Sequence, residues 1–416
     1  MPKLLIVTSS YPRYLEGFYS GRPGLSSASF REQKDAYDHD AFGWASCWSD
    51  PLALQGYQVT NIVWNVEPMQ RAWAKESGRA DFADLDLKQI ALLQAKEMQP
   101  DLLWFDDYDR AFLNALRQQV PSIRGVLGWV GSALPKTDIW RQLDLILSCA
   151  PESVATLKGS GFPVACFPHS FDARVIDRLV TRPKSVAISF VGQLTRVSDF
   201  HLQRDALLER LADEVPLEIH SPSAFVTRSE ELKTLVKIGV CHGMQVLRGL
   251  GVPISLLREV PVLGIVAGLS PEQCRPVNPR LAPFLKPALF GLSMYQLVAD
   301  SLLTLNIHAD SSPDFASNMR LFEVTGAGSC LVTDWKQNLH ELFEPDSEAV
   351  VFKTAEECVE KVKWLLDNRK AAEEISRAGQ RRTLNNYTFV HRAGALAVLL
   401  DKVLSGRAAD AGRSSS

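Results

Sequence analysis

Asn318, Arg320 and Glu323 put an amide, a guanidinium and a carboxylate close together in the stretch Leu303–Thr333, LTLNIHADSSPDFASNMRLFEVTGAGSCLVT. At the start of a helix, that set suits an anion beside a sugar ring. The free N–H groups of a helix N-terminus favour phosphate, and Arg320 adds a charge-assisted contact. A carboxylate at Glu323 accepts two hydrogen bonds from neighbouring hydroxyls, as a ribose diol offers. The alternative is an i,i+3 surface ion pair between Arg320 and Glu323. A second group is Asp38-His39-Asp40, ahead of Phe42-Gly43-Trp44. A carboxylate beside a histidine orients the ring and raises its basicity, which suits a general base. Adjacent helical residues diverge, so His39 and Asp40 cannot both face one site, and a solvated helix face is the plainer reading. Gly192 follows the apolar run Val186–Val191 and precedes Arg196. A glycine there lets the backbone approach a diphosphate, and Arg196 would neutralise it. Asp106-Asp107-Tyr108-Asp109 ends another apolar run. Those carboxylates suit either a metal or a cap for the next helix, and capping is favoured. Tyr295 reads as a nucleobase-stacking ring or as a core residue.

The elements that position these groups alternate strand and helix. Leu303–Ile307 reads as a strand, Asp310–Phe315 as a turn, and Met319–Thr325 as a short helix capped by Ser317 or Asn318. Gly326-Ala327-Gly328 stops that helix, and Cys330–Thr333 is a buried strand. In a parallel sheet, ligands bind outside the carboxyl ends of the strands. Upstream, Lys3–Thr8 reads as a strand that opens into a long aromatic loop running from Ser9 to Phe30. Further strands are expected at Val59–Asn65, Leu102–Phe105, Arg124–Val130, Leu143–Ser148, Val164–Phe167, Val186–Val191, Leu217–His220 and Val350–Phe352. Helices are expected at Asp86–Met98, Leu202–Leu211, Gly291–Ala299, Ala355–Asp367, Arg369–Asn386 and Phe389–Leu404. Residues 227–287 show few clean periods and read as an insertion or irregular helices. This alternation predicts doubly wound α/β domains, with Thr181–Ser185 as the linker.

A chain of 416 residues is long enough for two cores. Its 46% hydrophobic and 22% charged residues are ordinary for a globular protein, and a net charge of −3 gives no field toward nucleic acid or anionic membrane. Seven scattered cysteines include no CxxC pair and no zinc pattern, so they read as reduced thiols of a cytoplasmic protein. No targeting segment and no apolar run of ~18 residues is visible. The tail 405–416 has a disordered composition. No GxGxxG fingerprint and no Walker motif is present, which counts against NAD and ATP chemistry.

Asn318-x-Arg320-x-Phe322-Glu323, then Gly326-x-Gly328 and Leu331-x-Thr333-Asp334, resembles the signature of the CgeB-like (spore-maturation-type) glycosyltransferases, relatives of the group-1 glycosyltransferases of the GT-B fold. The resemblance runs from about Phe290 to Arg392 and includes Tyr387-Thr388-Phe389-x-His391-Arg392. It implies two Rossmann-like domains facing across a cleft: 1–180 on the acceptor side, and 186–388 binding a nucleotide-diphosphate sugar. The helix 389–404 would cross back to the first domain. The implied reaction moves a hexosyl unit to an acceptor hydroxyl on a carbohydrate, lipid-linked or protein acceptor, in surface polysaccharide or glycoconjugate synthesis. It would need no metal and no cofactor beyond the donor. Glu323 would hold the ribose, while Gly192, Arg196, Asn318 and Arg320 would face the diphosphate. The element Phe167–Asp172 resembles the domain junction of group-1 enzymes and would bring His169 near the cleft. The wider group is typically retaining, and His39, Asp40 or His169 would take the acceptor proton if this enzyme inverts instead. One departure stands out. Group-1 enzymes often carry a second glutamate eight positions before the first, and Phe315 is found there. Two rival readings follow: an epimerase of nucleotide sugars on the same fold, and a catalytically silent scaffold that binds them.

Overall fold

The computed structural model describes residues 1–78, 84–131, 133–194, 202–224, 228–249, 274 and 277–406. Arg196, most of the insertion beyond Gly249 and the tail from residue 407 lie outside the described residues.

Twelve strands form two parallel sheets of six. The first holds β1 (Lys3–Thr8), β2 (Gln58–Val63), β3 (Leu102–Phe105), β4 (Gly125–Val130), β5 (Leu145–Ser148) and β6 (Val164–Cys166), in the order β2-β1-β3-β4-β5-β6. The second holds β7 (Val186–Val191), β8 (Leu217–His220), β9 (Leu285–Lys286), β10 (Ser301–Asn306), β11 (Cys330–Asp334) and β12 (Val350–Phe352), in the order β12-β11-β10-β7-β8-β9. Both sheets are doubly wound, as the alternation predicts. Helices α1 (Pro12–Ser20), α2 (Phe30–His39), α3 (Ser49–Ala53), α4 (Glu67–Glu76), α5 (Leu87–Met98), α6 (Arg110–Gln119) and α7 (Pro151–Gly159) accompany the first sheet. The second sheet is accompanied by α8 (Leu202–Ala212), α9 (Arg228–Gly249), α10 (Gly291–Asp300), α11 (Arg320–Gly326), α12 (Leu339–Leu342), α13 (Ala355–Asp367) and α14 (Arg369–Asn386). A last helix, α15 (Phe389–Leu404), follows.

Most strand residues are apolar on both faces because each sheet is covered on both sides, although Asn61, Glu218, Ser301 and Asn306 are polar. In β1, Leu5 and Val7 face one cluster with residues of α5 and α6, whereas Leu4 and Ile6 face the other. That second face is covered by α15, whose Phe389, Ala393, Leu396, Ala397, Leu400 and Val403 recur at helical spacing and pack with Trp48, Trp104 and Leu127. A Cβ at Gly125 would lie 2.3 Å from the Val403 side chain, so helix and strand meet without room for more.

Two expectations are corrected. The aromatic loop after β1 is largely helix: Pro12 opens α1, and Tyr14 and Phe18, one turn apart, bury against Tyr37 and Met69. Neither Ser317 nor Asn318 caps α11. Met319 takes that place, while Ser317 shares its hydroxyl with Ser312 and Asn318 turns to Asn306. The segment read as an insertion or irregular helices begins with a 22-residue helix, α9.

The two sheets are fastened at several points. Asp40 at the end of α2 accepts from the Leu292 N–H at 2.8 Å, and a Cβ on Gly291, which sits at φ +52°, would lie 2.2 Å from the Asp40 carboxylate. Glu152 at the start of α7 accepts from the Ser312 hydroxyl and from the N–H groups of Asp314 and Phe315.

Candidate active site

In the first sheet, the chain leaves β1 toward β2 on one side and β3 on the other, opening a crevice at their carboxyl ends. In the second sheet, β7 has the same position between β8 and β10. The two crevices share one cleft of about 1560 Å3, lined by Thr8 and Asp106 from one and by Gly192 and Asn306 from the other.

The second-domain wall gathers most of the sequence-selected residues. Tyr295 on α10 donates its hydroxyl to Glu323 Oε1 at 3.2 Å, and Arg320 Nη1 lies 2.7 Å from Glu323 Oε2. Glu323 is only 6% exposed yet lines the cleft. The i,i+3 ion pair is therefore present, but on the cleft wall and not on an open surface. Asn318 donates to Asn306 Oδ1 at 2.6 Å, Asn306 donates to Thr333, and Asn318 Oδ1 is buried with no hydrogen-bond partner. An orphaned carbonyl oxygen at a cleft wall is an acceptor available to a ligand donor. Tyr295 does not present a stacking face. Burial in a cluster with Phe171 and Phe322 pushes its hydroxyl well above its usual range, and its oxygen is engaged by Glu323.

Gly192 follows β7 on the cleft wall. Beside it lies a cation that sequence reading missed, Arg204 of α8. Its guanidinium donates to Ile307 O at 2.8 Å and Gln193 O at 3.1 Å, tying together the loops that leave β10 and β7. Burial, with Arg320 nearby, pushes its pKa down to about 10, and it remains charged at neutral pH. Inside an ordinary amphipathic helix, nothing in the local sequence marks Arg204. Only the strand order brings it to the crevice.

The first-domain wall is aromatic. Trp44, Trp129 and His169 line it, with His169 5.2 Å from the Trp129 ring. Burial pushes His169 down to about 4, so the ring is neutral. His39 and Asp40 are not brought to the cleft. His39 is exposed at the end of α2, and its carbonyl accepts from Arg178. Asp40 is buried between domains, with Tyr14 on one oxygen at 2.9 Å and Arg22 on the other at 2.6 Å. The Asp40 carboxylate therefore ties α2 to Tyr14 and Arg22, and the Asp40 backbone carbonyl holds the Leu292 N–H of α10. In the acidic cluster, Asp109 caps α6 through the N–H groups of Ala111 and Phe112 and pairs with Lys88. Among the described residues, no three histidine, cysteine, aspartate or glutamate side chains converge as a metal site would require. No described helix is long and apolar enough to cross a membrane.

Comparison with known proteins adds to this geometry. Residues 283–397, which include Glu323, Arg320 and Asn318, match the family model described as glycosyl transferase-like. No curated protein matches the chain. Among solved structures, Anabaena HepE in complex with UDP-glucose aligns with a TM-score of 0.53 and 12% identity, over 97% of this chain and 100% of that one. A glycosyltransferase from Rickettsia africae aligns at 0.52 and 10% identity, over 97% and 98%. The sucrose-phosphate synthase from Thermosynechococcus elongatus aligns at 0.50 and 9%, over 97% and 100%. At such identities the likeness defines the fold. The chain has the two-domain GT-B architecture of glycosyltransferases.

Proposed function

We propose that the protein transfers a hexosyl unit from a nucleotide-diphosphate sugar to an acceptor hydroxyl, without a metal, as a member of the CgeB-like branch. The observation that carries this reading is Glu323: a carboxylate almost wholly buried, yet on the wall of an interdomain cleft, within the segment that matches a glycosyl transferase-like family. Evacuating a carboxylate from water is costly unless its acceptor capacity is used. Arg320 and Tyr295 use part of it, and a ribose diol would use more. Arg320 and Arg204 lie where a diphosphate leaving group would develop charge, and fixed cations there stabilise it without reorganisation. Asn318 Oδ1 would accept from the donor. The acceptor would lie against Trp44 and Trp129, and domain closure would exclude water. HepE is described with UDP-glucose, which makes that donor the first to test. Synthesis of a surface polysaccharide or glycoconjugate in the cytoplasm is the setting this reading proposes.

Phe315 favours a second reading, a silent scaffold that binds sugar nucleotides. The deciding experiment is a thermal-shift screen of nucleoside diphosphates and their sugars, with and without magnesium, followed by assay for nucleotide release. Ligand at about a hundred times its Kd stabilises by about 2.7 kcal/mol. A shift selective for one base and indifferent to magnesium, with turnover, supports the transferase. A shift without turnover in any acceptor mixture supports the scaffold. No shift at all removes the donor site.

A further inference from the structure

We infer that a tryptophan-lined recess beside the first-domain wall of the cleft binds the acetamido group of the acceptor, which makes the acceptor an N-acetylated amino sugar. The inference rests on the transferase reading above and names the acceptor class that reading leaves open.

The first sheet supplies the floor. Trp104 of β3 pairs in register with Leu127 of β4, so Trp129, two residues further along β4, stands on the same face. The chain between α2 and α3 lays Trp44 and Trp48 over them. Ring centroids of Trp44 and Trp104 are 4.5 Å apart, and those of Trp48 and Trp104 are 6.1 Å apart. The segment after β6 closes the side with Ser170 and with His169, 5.2 Å from the Trp129 ring. The space enclosed is about 20 Å3. That exceeds the about 10–15 Å3 that one water needs and is far too small for a sugar ring. Trp44, Trp129, His169 and Ser170 line both the recess and the main cleft, so the two adjoin along that edge.

Aromatic rings alone would be an ordinary core, in which a buried indole N–H finds a partner. Here three polar atoms do not. Trp48, Trp104 and Ser170 are 2%, 1% and 5% exposed and all line the recess. Trp48 Nε1, Trp104 Nε1 and Ser170 Oγ have no hydrogen-bond partner. Leaving buried donors unmade is costly, and a phenylalanine core would avoid it. The three atoms are also sealed from water in the free protein. A group that parts the rings and accepts from them therefore gains these hydrogen bonds without displacing any hydration.

The donors define the ligand. An indole N–H only donates, so what meets it must accept. Among the described residues no charged side chain lines the recess, and burial pushes His169 down to about 4, which keeps its ring neutral. An anion would go unneutralised there, which leaves a neutral oxygen. A carbonyl oxygen has two lone pairs and no proton of its own to place. An acetamido group meets each condition. Its methyl packs on the rings, its carbonyl accepts from the indoles, and its N–H suits the acceptor nitrogen that a neutral imidazole keeps. The pyranose that carries it stays in the cleft against Trp44 and Trp129, whose negative ring faces favour its C–H groups.

The test uses the full chain with the methyl β-glycosides of N-acetylglucosamine, N-acetylgalactosamine, glucose and galactose, with and without UDP, read by calorimetry and by saturation-transfer NMR. The acetamido glycosides should bind roughly tenfold or more tighter than their hydroxyl counterparts. The acetyl methyl should receive the strongest saturation, and the indole N–H resonances of Trp48 and Trp104 should move downfield. Ser170→Ala and Trp48→Phe should each weaken the acetamido glycosides by about 2- to 10-fold and leave the hydroxyl glycosides alone, with UDP affinity as the check on folding. Equal binding of the two sets, or variants that bind acetamido glycosides as wild type does, would overturn the assignment and leave the recess holding water only. Turnover of UDP-, GDP- or dTDP-hexoses onto the hydroxyl glycosides alone would overturn it as well. Wild type that binds no nucleotide overturns the transferase reading instead, and the glycoside preference then still decides what the recess binds.

Discussion

Replacing Glu323 by glutamine tests the donor site at its most informative atom. The substitution keeps the shape and one acceptor oxygen but removes the charge. In the free protein that charge faces Arg320 at 2.7 Å and the Tyr295 hydroxyl at 3.2 Å. Breaking a fully buried ion pair by removing one partner costs about 3–5 kcal/mol. Arg320 is 22% exposed at its side chain and reaches solvent, so a smaller loss of about 1–3 kcal/mol in unfolding free energy is expected. Binding should lose more specifically. A hydrogen bond to a charged group is worth about 1.5–3 kcal/mol, which is roughly a 10- to 150-fold rise in Kd for a nucleoside diphosphate. Calorimetric titration with UDP and 2′-deoxy-UDP, on wild type and Glu323→Gln, closes a double-mutant cycle. Wild type should prefer the ribose form, and the variant should treat the two alike. A variant that still discriminates ribose from deoxyribose would refute the assignment of Glu323 to the diol, whatever its overall affinity.

Two further outcomes concern stability. Leu400→Ala removes a fully buried side chain where α15 packs on the first sheet, and should cost about 2–5 kcal/mol in denaturant unfolding. Asp106→Asn should stabilise the protein in a pH-dependent way. The folded pKa is raised from 3.8 to about 6, so wild type is free of penalty below pH 3.8 and loses stability as the pH rises through 6. The arithmetic, 6 − 3.8 = 2.2 units at 1.36 kcal/mol each, gives an upper bound of about 3 kcal/mol above pH 6. Unfolding curves at pH 4.5 and 7.5 should therefore show a gap that opens toward the higher pH.

Long apolar runs made most strands legible. Leu102–Phe105, Val186–Val191, Leu217–His220 and Val350–Phe352 are read to the residue, the first and last because they are apolar throughout, the other two because polar residues interrupt them only singly. Composition misled at α1, where Tyr, Pro and Gly resemble loop chemistry although Tyr14 and Phe18 hold helical spacing. On the second-domain wall, Asn318, Arg320 and Glu323 come from one short segment, so the sequence itself brings them together. The first-domain wall is different. Asp40 carries the residue type of a base, but Tyr14 and Arg22 occupy both its oxygens and Gly291 packs against it. Thr8 and Asp106 meet only because β1 and β3 are neighbours, a fact of strand order that local pattern does not contain. Arg204 is hidden for the same reason.

The return of α15 to the first sheet bears on how the chain is made. Residues 389–404 complete a core whose strands emerge from the ribosome first. At about 5–20 residues per second, the second domain occupies roughly 10–40 s of translation before that helix appears. Throughout that interval the face of Leu4, Ile6, Trp104 and Leu127 has only the earlier Trp48 and Leu52 against it and lacks the apolar stripe of α15.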